Sequence, residues 1–142
     1  MNIAMDGKPL RVVLDTNILI SGIGFPGKQR QILLLTLTGQ VESVTSAVLL
    51  AEFEDVVNKK FPKLRNESEK TVRKIRKKFI IVSPGISVNV SRDEDDNRVI
   101  EAAIEGNCDC IITGDKDLLD LGKFKNIKIL TADQFLSVRE WQ

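Results

Sequence analysis

Short apolar runs alternate with longer amphipathic stretches along this chain. The apolar runs are rich in valine and isoleucine and predict strands at residues 12–14, 41–45, 79–83, 109–113 and 128–130. The stretches between them repeat apolar side chains at helical spacing, which predicts helices at 16–23, 29–38, 46–60, 66–79 and 93–106, and a terminal helix after 131. Strands that alternate with helices favour a mostly parallel sheet covered on both faces. The predicted fold class is therefore α/β, a three-layer α/β/α sandwich with a Rossmann-like sheet.

Capping residues mark several of the predicted helix ends. Ser46 can cap the third helix, and the segments 66–69 and 131–134 both fit the capping-box pattern. Gly106 and Asn107 mark the end of the helix that begins near residue 93. The terminal helix is therefore predicted to begin at Thr131.

Two strand ends that are far apart in the chain carry acids that a parallel sheet would bring together. Asp15 ends the first predicted strand, and Asp115 follows the fourth. The carboxyl ends of parallel strands form one edge of the sheet, where ligands of such folds bind. Either aspartate could instead serve only as a helix N-cap. Acids that gather without histidine suggest a hard divalent cation, Mg²⁺ or Mn²⁺, held by oxygen ligands.

Glu52 is a third candidate because it lies at the rim of a buried helix face. At ~100° of rotation per residue around the helix axis, the side chain of Glu52 projects ~40° from that of Val56. The other acids of this helix point farther from the core, where they would only be solvated. The predicted core-facing residues of the helix are Leu49, Phe53, Val56 and Val57.

Residues 93–96 form the densest acidic run of the chain. The helix macrodipole favours acids in a first helical turn, but four consecutive acids repel one another, and a bound cation would offset this repulsion. Asp96 is the preferred ligand because Val99, Ala103 and Ile104 lie at helical spacings that aim it toward the sheet. Asp93 stays open as an alternative.

The basic residues concentrate between positions 59 and 78, where ten of twenty residues are lysine or arginine. This stretch could be a solvated helix surface, with Val72 and Ile75 facing the core. It could also contact the phosphate backbone of a nucleic acid. Under that hypothesis the RNA-binding candidates are Arg73, Lys74 and Lys77.

Composition excludes several other chemistries. The 142 residues suit one domain, 1–142, with residues 1–9 predicted to be a flexible N-terminal extension. The absence of histidine excludes Ser-His-Asp and Cys-His catalysis and His-containing zinc sites. Cys108 and Cys110 are predicted to share one face of a strand as core residues, with a redox role as the alternative.

The same sequence predicts a cytoplasmic protein with no membrane partner. No apolar run approaches the ~20 residues that span a bilayer. The first ten residues contain Asp6 and lack the apolar region of a secretory signal.

These motifs, taken in order, resemble those of the PIN domain family, and the branch of VapC-like toxin components in particular. The resemblance covers approximately residues 10–136. The sequence differs from this branch at Glu94, a position at which members of the branch often have proline. Its motifs are Asp15-Thr16-Asn17, Ser46 with Glu52, Asp93 to Asn97, Thr113 to Asp117, and residues 130–136.

The resemblance implies a Mg²⁺- or Mn²⁺-dependent endoribonuclease in which Asp15, Glu52, Asp96 and Asp115 are the catalytic and metal-binding acids. Asp117 and Asp93 are additional ligand candidates. Asn17 and Thr113 match positions that support the site. The implied partners are an RNA substrate and a small antitoxin protein, and a homodimer is expected.

Two other functions are consistent with parts of the sequence. A catalytically silent nucleic-acid-binding or regulatory module would keep the fold without cleaving RNA. A receiver-type phosphoacceptor domain also combines an α/β fold with an acidic metal pocket, but it would need an aspartate at the end of its middle strand. The third predicted strand ends instead in Ser83 and Pro84.

Overall fold

A six-stranded sheet forms the middle layer of the protein, whose computed structural model describes residues 9–139. Residues 1–8 of the predicted N-terminal extension lie outside the described residues. The strand order is β3-β2-β1-β4-β6-β5, and all neighbours are parallel except β5 and β6. The strands are β1 (Arg11–Leu14), β2 (Glu42–Ser46), β3 (Ile80–Val82), β4 (Cys110–Ile112), β5 (Lys123–Phe124) and β6 (Ile127–Leu130).

Helices cover both faces of this sheet and confirm the predicted three-layer architecture. They are α1 (Thr16–Gly24), α2 (Lys28–Leu37), α3 (Ala47–Lys60), α4 (Arg65–Lys78), α5 (Glu94–Glu105), α6 (Lys116–Leu121) and α7 (Ala132–Arg139). One buried cluster joins the sheet to α1, α2, α3, α4 and α7, and a second joins it to α5 and α6. None of the described helices combines the length and apolarity needed to cross a membrane.

The central strands are β1 and β4, and they explain where the polar groups meet. Val12 and Leu14 face one core cluster while Val13 faces the other, so β1 is buried on both sides. Leu14 pairs with Ile112, which aligns the carboxyl ends of the two strands. After β1 the chain adds β2 and β3 on one side of this strand, and it then adds β4 on the other side. The gap between β1 and β4 is therefore the topological switch point, where such sheets bind ligands.

The capping residues predicted from the sequence are found at the helix ends, except at α4. The Oγ atom of Ser46 accepts a hydrogen bond from the Leu49 amide at 3.2 Å. Thr131 and Gln134 form the predicted capping box, with reciprocal hydrogen bonds of 2.9 and 3.1 Å. The capping box predicted at residues 66–69 is wrong, because α4 begins at Arg65 without a side-chain cap. A 3-10 helix at Pro62–Leu64 runs directly into α4 and leaves no extended residue that could cap it.

The prediction that Cys108 and Cys110 share one face of a strand is also wrong. Cys110 belongs to the core cluster on the α1 side of the sheet, and Cys108 to the cluster on the α5 side. β4 begins only at Cys110, after a turn in which Asn107 has a φ of 51°, so the strand alternation does not reach Cys108. Both thiols are buried and free, and burial raises their pKa to about 12 and about 11, respectively. They therefore pack as protonated thiols at neutral pH.

Gly106 lets α5 approach the sheet closely. A Cβ atom at this position would lie 2.7 Å from both Cγ atoms of Val44 in β2. Val44 is fully buried, and its branched side chain has little rotational freedom. The glycine therefore sets the distance between α5 and the sheet.

Replacing Gly106 with alanine is expected to lower the free energy of unfolding by about 1–3 kcal/mol, the usual cost of overpacking. Gly85→Ala is the matched control, since a Cβ atom there would come no closer than 4.0 Å to Glu105. Urea denaturation of the two variants measures the difference. Equal stability would contradict a tight contact at Gly106.

Candidate metal centre

A cleft of about 380 Å³ opens at the carboxyl edge of the sheet, at the switch point between β1 and β4. Acids from four parts of the chain contribute to its lining. They are Asp15, Glu52, Asp93, Asp95, Asp96 and Asp115. The fold therefore brings together the four acids that the sequence nominated as catalytic, together with Asp93.

Asp15 is the most firmly anchored of these acids. Its Oδ1 atom accepts a hydrogen bond from the Thr16 amide at 2.8 Å, which caps α1. Its Oδ2 atom accepts hydrogen bonds from the Thr113 hydroxyl at 2.6 Å and from Asn17 Nδ2 at 3.3 Å. Three donors thus fix one carboxylate that is only 6% exposed.

Thr113 and Asn17 connect the ends of the two central strands. The Thr113 hydroxyl donates to Asp15 and accepts from the Asp115 amide at 2.9 Å. The Asn17 side chain donates to Asp15 and accepts from the Gly114 amide at 3.1 Å. Both residues therefore hold Asp15 in a fixed position relative to the segment that carries Asp115.

Asp115 is both a cleft acid and a helix cap. Its Oδ2 atom accepts a hydrogen bond from the Leu118 amide at 3.1 Å and so begins α6. Asp93 also lines the cleft and caps a helix, since its Oδ1 atom accepts a hydrogen bond from the Asp95 amide at 3.0 Å at the start of α5. Capping leaves the second carboxylate oxygen of each residue available to the cleft.

Asp96 is held by a network that sequence reasoning missed. The Ser91 hydroxyl donates to Asp96 Oδ2 at 3.1 Å and accepts from the Asp93 amide at 3.2 Å. Ser91 is itself held by Asn97, whose Oδ1 atom accepts from the Ser91 amide at 2.9 Å and whose Nδ2 atom donates to the Ser91 carbonyl at 2.9 Å. Asn97 is 1% exposed.

The network lies within residues 91–97, where irregular backbone leads into α5. Asn97 stood within the recognised motif without an assigned role, and Ser91 lies in an irregular segment. Asp95, which also lines the cleft, was not singled out within the acidic run. A polar residue on the buried face of α5 was the only signal that could have pointed to Asn97.

Glu52 reaches the cleft from the rim of α3, in agreement with the helical geometry. Three of the four residues predicted to form the core stripe of this helix, Leu49, Phe53 and Val57, are buried. Val56 is only partly buried and lines the cleft beside Glu52. Leu50, which the stripe omitted, is buried as well.

Burial and mutual repulsion raise the pKa of three cleft acids, Asp15, Glu52 and Asp96. Burial raises the pKa of Asp15 above its ordinary value. Burial, followed by the charges of Asp95 and Asp15, raises the pKa of Glu52 to about 7. Burial, followed by a hydrogen bond and charge from Asp115, raises the pKa of Asp96 to about 7. Each shift means that burial and the neighbouring acids disfavour the charged form of the carboxyl group.

The carboxylates have the spacing and chemistry of an oxygen-ligand metal site. Asp96, Asp115 and Asp117 each place one carboxylate oxygen within 4.8 Å of the other two. A single hard cation can bridge oxygens at this separation, and an all-carboxylate set suits Mg²⁺ or Mn²⁺ better than zinc. Asp117 also accepts two hydrogen bonds from Arg92, at 3.2 and 3.1 Å. The acidic cluster therefore fits a divalent ion, and Arg92 partly balances its charge.

The predicted RNA-binding residues do not line this cleft. Arg73, Lys74 and Lys77 are exposed on α4. The carboxyl end of α4 lies near the amino edge of the sheet, since Lys78 Nζ approaches Gly39, which precedes β2. The second half of α4 therefore leads away from the acidic centre.

Comparison with known proteins identifies relatives for both the sequence and the fold. A family model described as PIN domain matches residues 11–117. The uncharacterized protein MJ1680 of Methanocaldococcus jannaschii is 37% identical over 150 aligned positions, which cover 93% of each chain.

Two solved structures share the fold at low sequence identity. One is VapBC2 from Rickettsia felis bound to a DNA fragment from its promoter, with a TM-score of 0.57 and 17% identity over 86% of this chain and 98% of that chain. The other is FitAB bound to a DNA fragment, with a TM-score of 0.55 and 16% identity over 85% of this chain and 94% of that chain.

The raised pKa of Glu52 predicts that the metal-free protein loses stability as pH rises. The folded protein binds this proton more tightly than the unfolded chain, so the stabilisation is complete below about pH 4.5 and disappears through about pH 7. Glu52→Gln should flatten part of the decline in melting temperature between pH 5 and pH 8. Glu54→Gln, on an exposed position of the same helix, is the control and should retain the full decline.

Asp96→Asn tests whether Asp96 belongs to a metal site. The metal-free variant should be as stable as the parent or more so, by about 1 kcal/mol, because one repelling charge is removed. Mg²⁺ should raise the melting temperature of the parent, since only the folded site binds the ion, and should raise that of the variant much less. Equal Mg²⁺-induced shifts in the two proteins would remove Asp96 from the site.

Proposed function

The chain belongs to the PIN domain family, and from this premise we propose that it is a metal-dependent endoribonuclease that hydrolyses RNA phosphodiester bonds. One observation carries the proposal. Acids from the end of β1, from α3, from the start of α5 and from the end of β4 converge on a single cleft. Two of them, Asp96 and Asp115, also join Asp117 in a set of carboxylate oxygens close enough to share a divalent cation. A binding module without catalysis would not need several carboxylates buried beside one another at a cost in stability.

The proposed catalytic residues are Asp15, Glu52, Asp96 and Asp115, with Asp117 and Asp93 as additional ligands. When bound, Mg²⁺ or Mn²⁺ supplies positive charge that stabilises the developing charge on phosphorus and the leaving oxygen, and it lowers the pKa of water. Asp15 and Asp115 would hold the ion at the strand ends. Glu52 and Asp96 would be further ligands or would position the attacking water, and one of these two carboxylates would accept its proton. Thr113 and Asn17 keep Asp15 aligned for this task, as their hydrogen bonds indicate.

The proposal extends to a place in a toxin–antitoxin pair. The two structural neighbours are toxin–antitoxin complexes bound to DNA. By analogy we propose a small antitoxin protein as a partner and a homodimer as the assembly, with activity on RNA in the cytoplasm. Arg73, Lys74 and Lys77 are retained as a proposed contact with RNA phosphates that lie outside the cleft.

Cleavage assays with substituted proteins test the activity. The purified protein should cleave single-stranded RNA in Mg²⁺ or Mn²⁺ and stop in EDTA. Asp15→Asn and Asp96→Asn should each abolish cleavage, since each removes a carboxylate that the proposed mechanism uses, while circular dichroism shows an unchanged fold. Asp120→Asn is the matched control, because Asp120 is exposed outside the cleft and should leave cleavage intact.

Two results would contradict the proposal. Cleavage that persists in EDTA would mean that no metal is used. A parent protein that binds RNA without cutting it in either metal would instead favour a catalytically silent nucleic-acid-binding module of the same fold.

A further inference from the structure

Part of the cleft lining carries no acid. It is formed by Ile20 and Ser21 of α1 and by Val56, Lys60 and Phe61 at the carboxyl end of α3. The same cleft therefore combines a carboxylate cluster with an aromatic ring, a cation and aliphatic side chains. This combination is not needed to bind a metal ion.

Lys60 stands beside the acidic cluster rather than within it. Glu52, Val56 and Lys60 are four residues apart and share one face of α3, which places Lys60 about 12 Å from Glu52 along the helix axis. Lys60 makes no ion pair with any of the described residues. Its neighbour Lys59 differs, since it pairs with Asp55 at 3.1 Å and does not line the cleft.

Phe61 presents its ring from an anchored backbone. Its amide donates to the Val57 carbonyl at 2.9 Å, and its carbonyl accepts from the Leu64 amide at 2.8 Å. Leu64 packs tightly on α1, since a Cβ atom at Gly24 would lie 3.0 Å from Leu64 Cδ1. The ring is nonetheless 36% exposed at the cleft. An aromatic side chain held in this way can stack on a ligand with little loss of conformational entropy.

We propose that Phe61 and Lys60 form a subsite for single-stranded RNA, in which an unpaired base stacks on Phe61 and an adjacent phosphate contacts Lys60. This inference rests on the proposed function, since it supplies the part of the substrate that flanks the scissile bond. Unpaired bases stack on aromatic side chains, and cations track the backbone, in proteins that bind single strands. A duplex keeps its bases paired and stacked and cannot offer one to Phe61. The subsite therefore favours single strands over duplexes.

Binding measurements separate the two roles. Anisotropy of a short, unstructured, fluorescent RNA is measured in the Asp96→Asn background, which keeps the RNA intact under the proposed mechanism. Phe61→Ala should weaken binding about 5- to 150-fold, the equivalent of the ~1–3 kcal/mol of one stacked base. Phe61→Leu keeps apolar packing but removes the ring, and it should weaken binding as well. Lys60→Gln should make the slope of log affinity against log salt shallower by about 0.7.

A second phenylalanine and a second lysine provide matched controls for Phe61 and Lys60. Phe25 is 59% exposed but does not line the cleft, so Phe25→Ala should leave affinity unchanged. Lys59→Gln should leave the salt slope unchanged for the same reason. If Phe61→Leu binds RNA as tightly as the parent, or if the Phe25 and Phe61 variants lose equal affinity, the stacking role is overturned.

A scan of abasic RNAs gives a readout that a structural defect would not imitate. Each RNA of the set lacks one base at a different position. One position should weaken binding to the Asp96→Asn protein, and this effect should vanish when Phe61→Ala is added but persist when Lys60→Gln is added. Equal sensitivity of the Asp96→Asn protein with and without Phe61→Ala at every position would overturn the subsite.

The subsite and the nuclease assignment can fail separately. If the parent cleaves RNA but the Phe61 and Lys60 variants match their controls, the subsite is wrong and the nuclease assignment stands. If the parent cleaves nothing but the binding and abasic results are as expected, the subsite stands as an RNA-binding site and the nuclease assignment fails.

Discussion

Carboxylates buried side by side at one edge of the sheet impose the main constraint on this structure. Asp15 and Asp96 are 6% and 4% exposed, respectively, and several other acids line the same cleft. Buried like charges are costly unless donors or a cation compensate them. The hydrogen bonds from Thr113, Asn17 and the Thr16 amide to Asp15 replace part of the lost hydration. Burial still raises the pKa of Asp15, Glu52 and Asp96 above the ordinary values, so these hydrogen bonds offset only part of the cost.

Helix N-termini supply a second form of compensation at the same place. Asp15, Asp93 and Asp115 cap α1, α5 and α6, and Ser46 caps α3 next to the carboxyl end of β2. Each helix start presents unpaired amides and the positive end of its dipole. Capping and metal binding are therefore not competing explanations of these aspartates. A cap fixes one oxygen of each carboxylate and orients the other.

The cleft is chemically asymmetric because two kinds of chain segment form it. Its acids come from strand ends and first helical turns, where parallel α/β topology concentrates polar groups. Lys60 and Phe61 come from the last turn of α3 and the kink that follows it. The proposed RNA substrate would need both kinds of surface, since carboxylates alone would repel its phosphates. Arg92 offsets some of that repulsion through its pair with Asp117.

Local periodicity and capping residues are enough to predict much of this fold. The five parallel strands follow from short apolar runs, most helix bounds follow from helical spacing and caps, and the placement of Asp15 and Asp115 follows from the acids that come after the first and fourth runs. Features that depend on the start of an element or on contacts between distant segments do not follow from these patterns. The two-residue strand β5 is too short to show a period, and the separate faces of Cys108 and Cys110 depend on the residue at which β4 begins. The hydrogen bonds of Ser91 to Asp96 and Asn97 are local, but they depend on irregular backbone before α5, which has no period to read. Lys60 and Phe61 line the cleft because tertiary packing sets how α3 is oriented on the sheet.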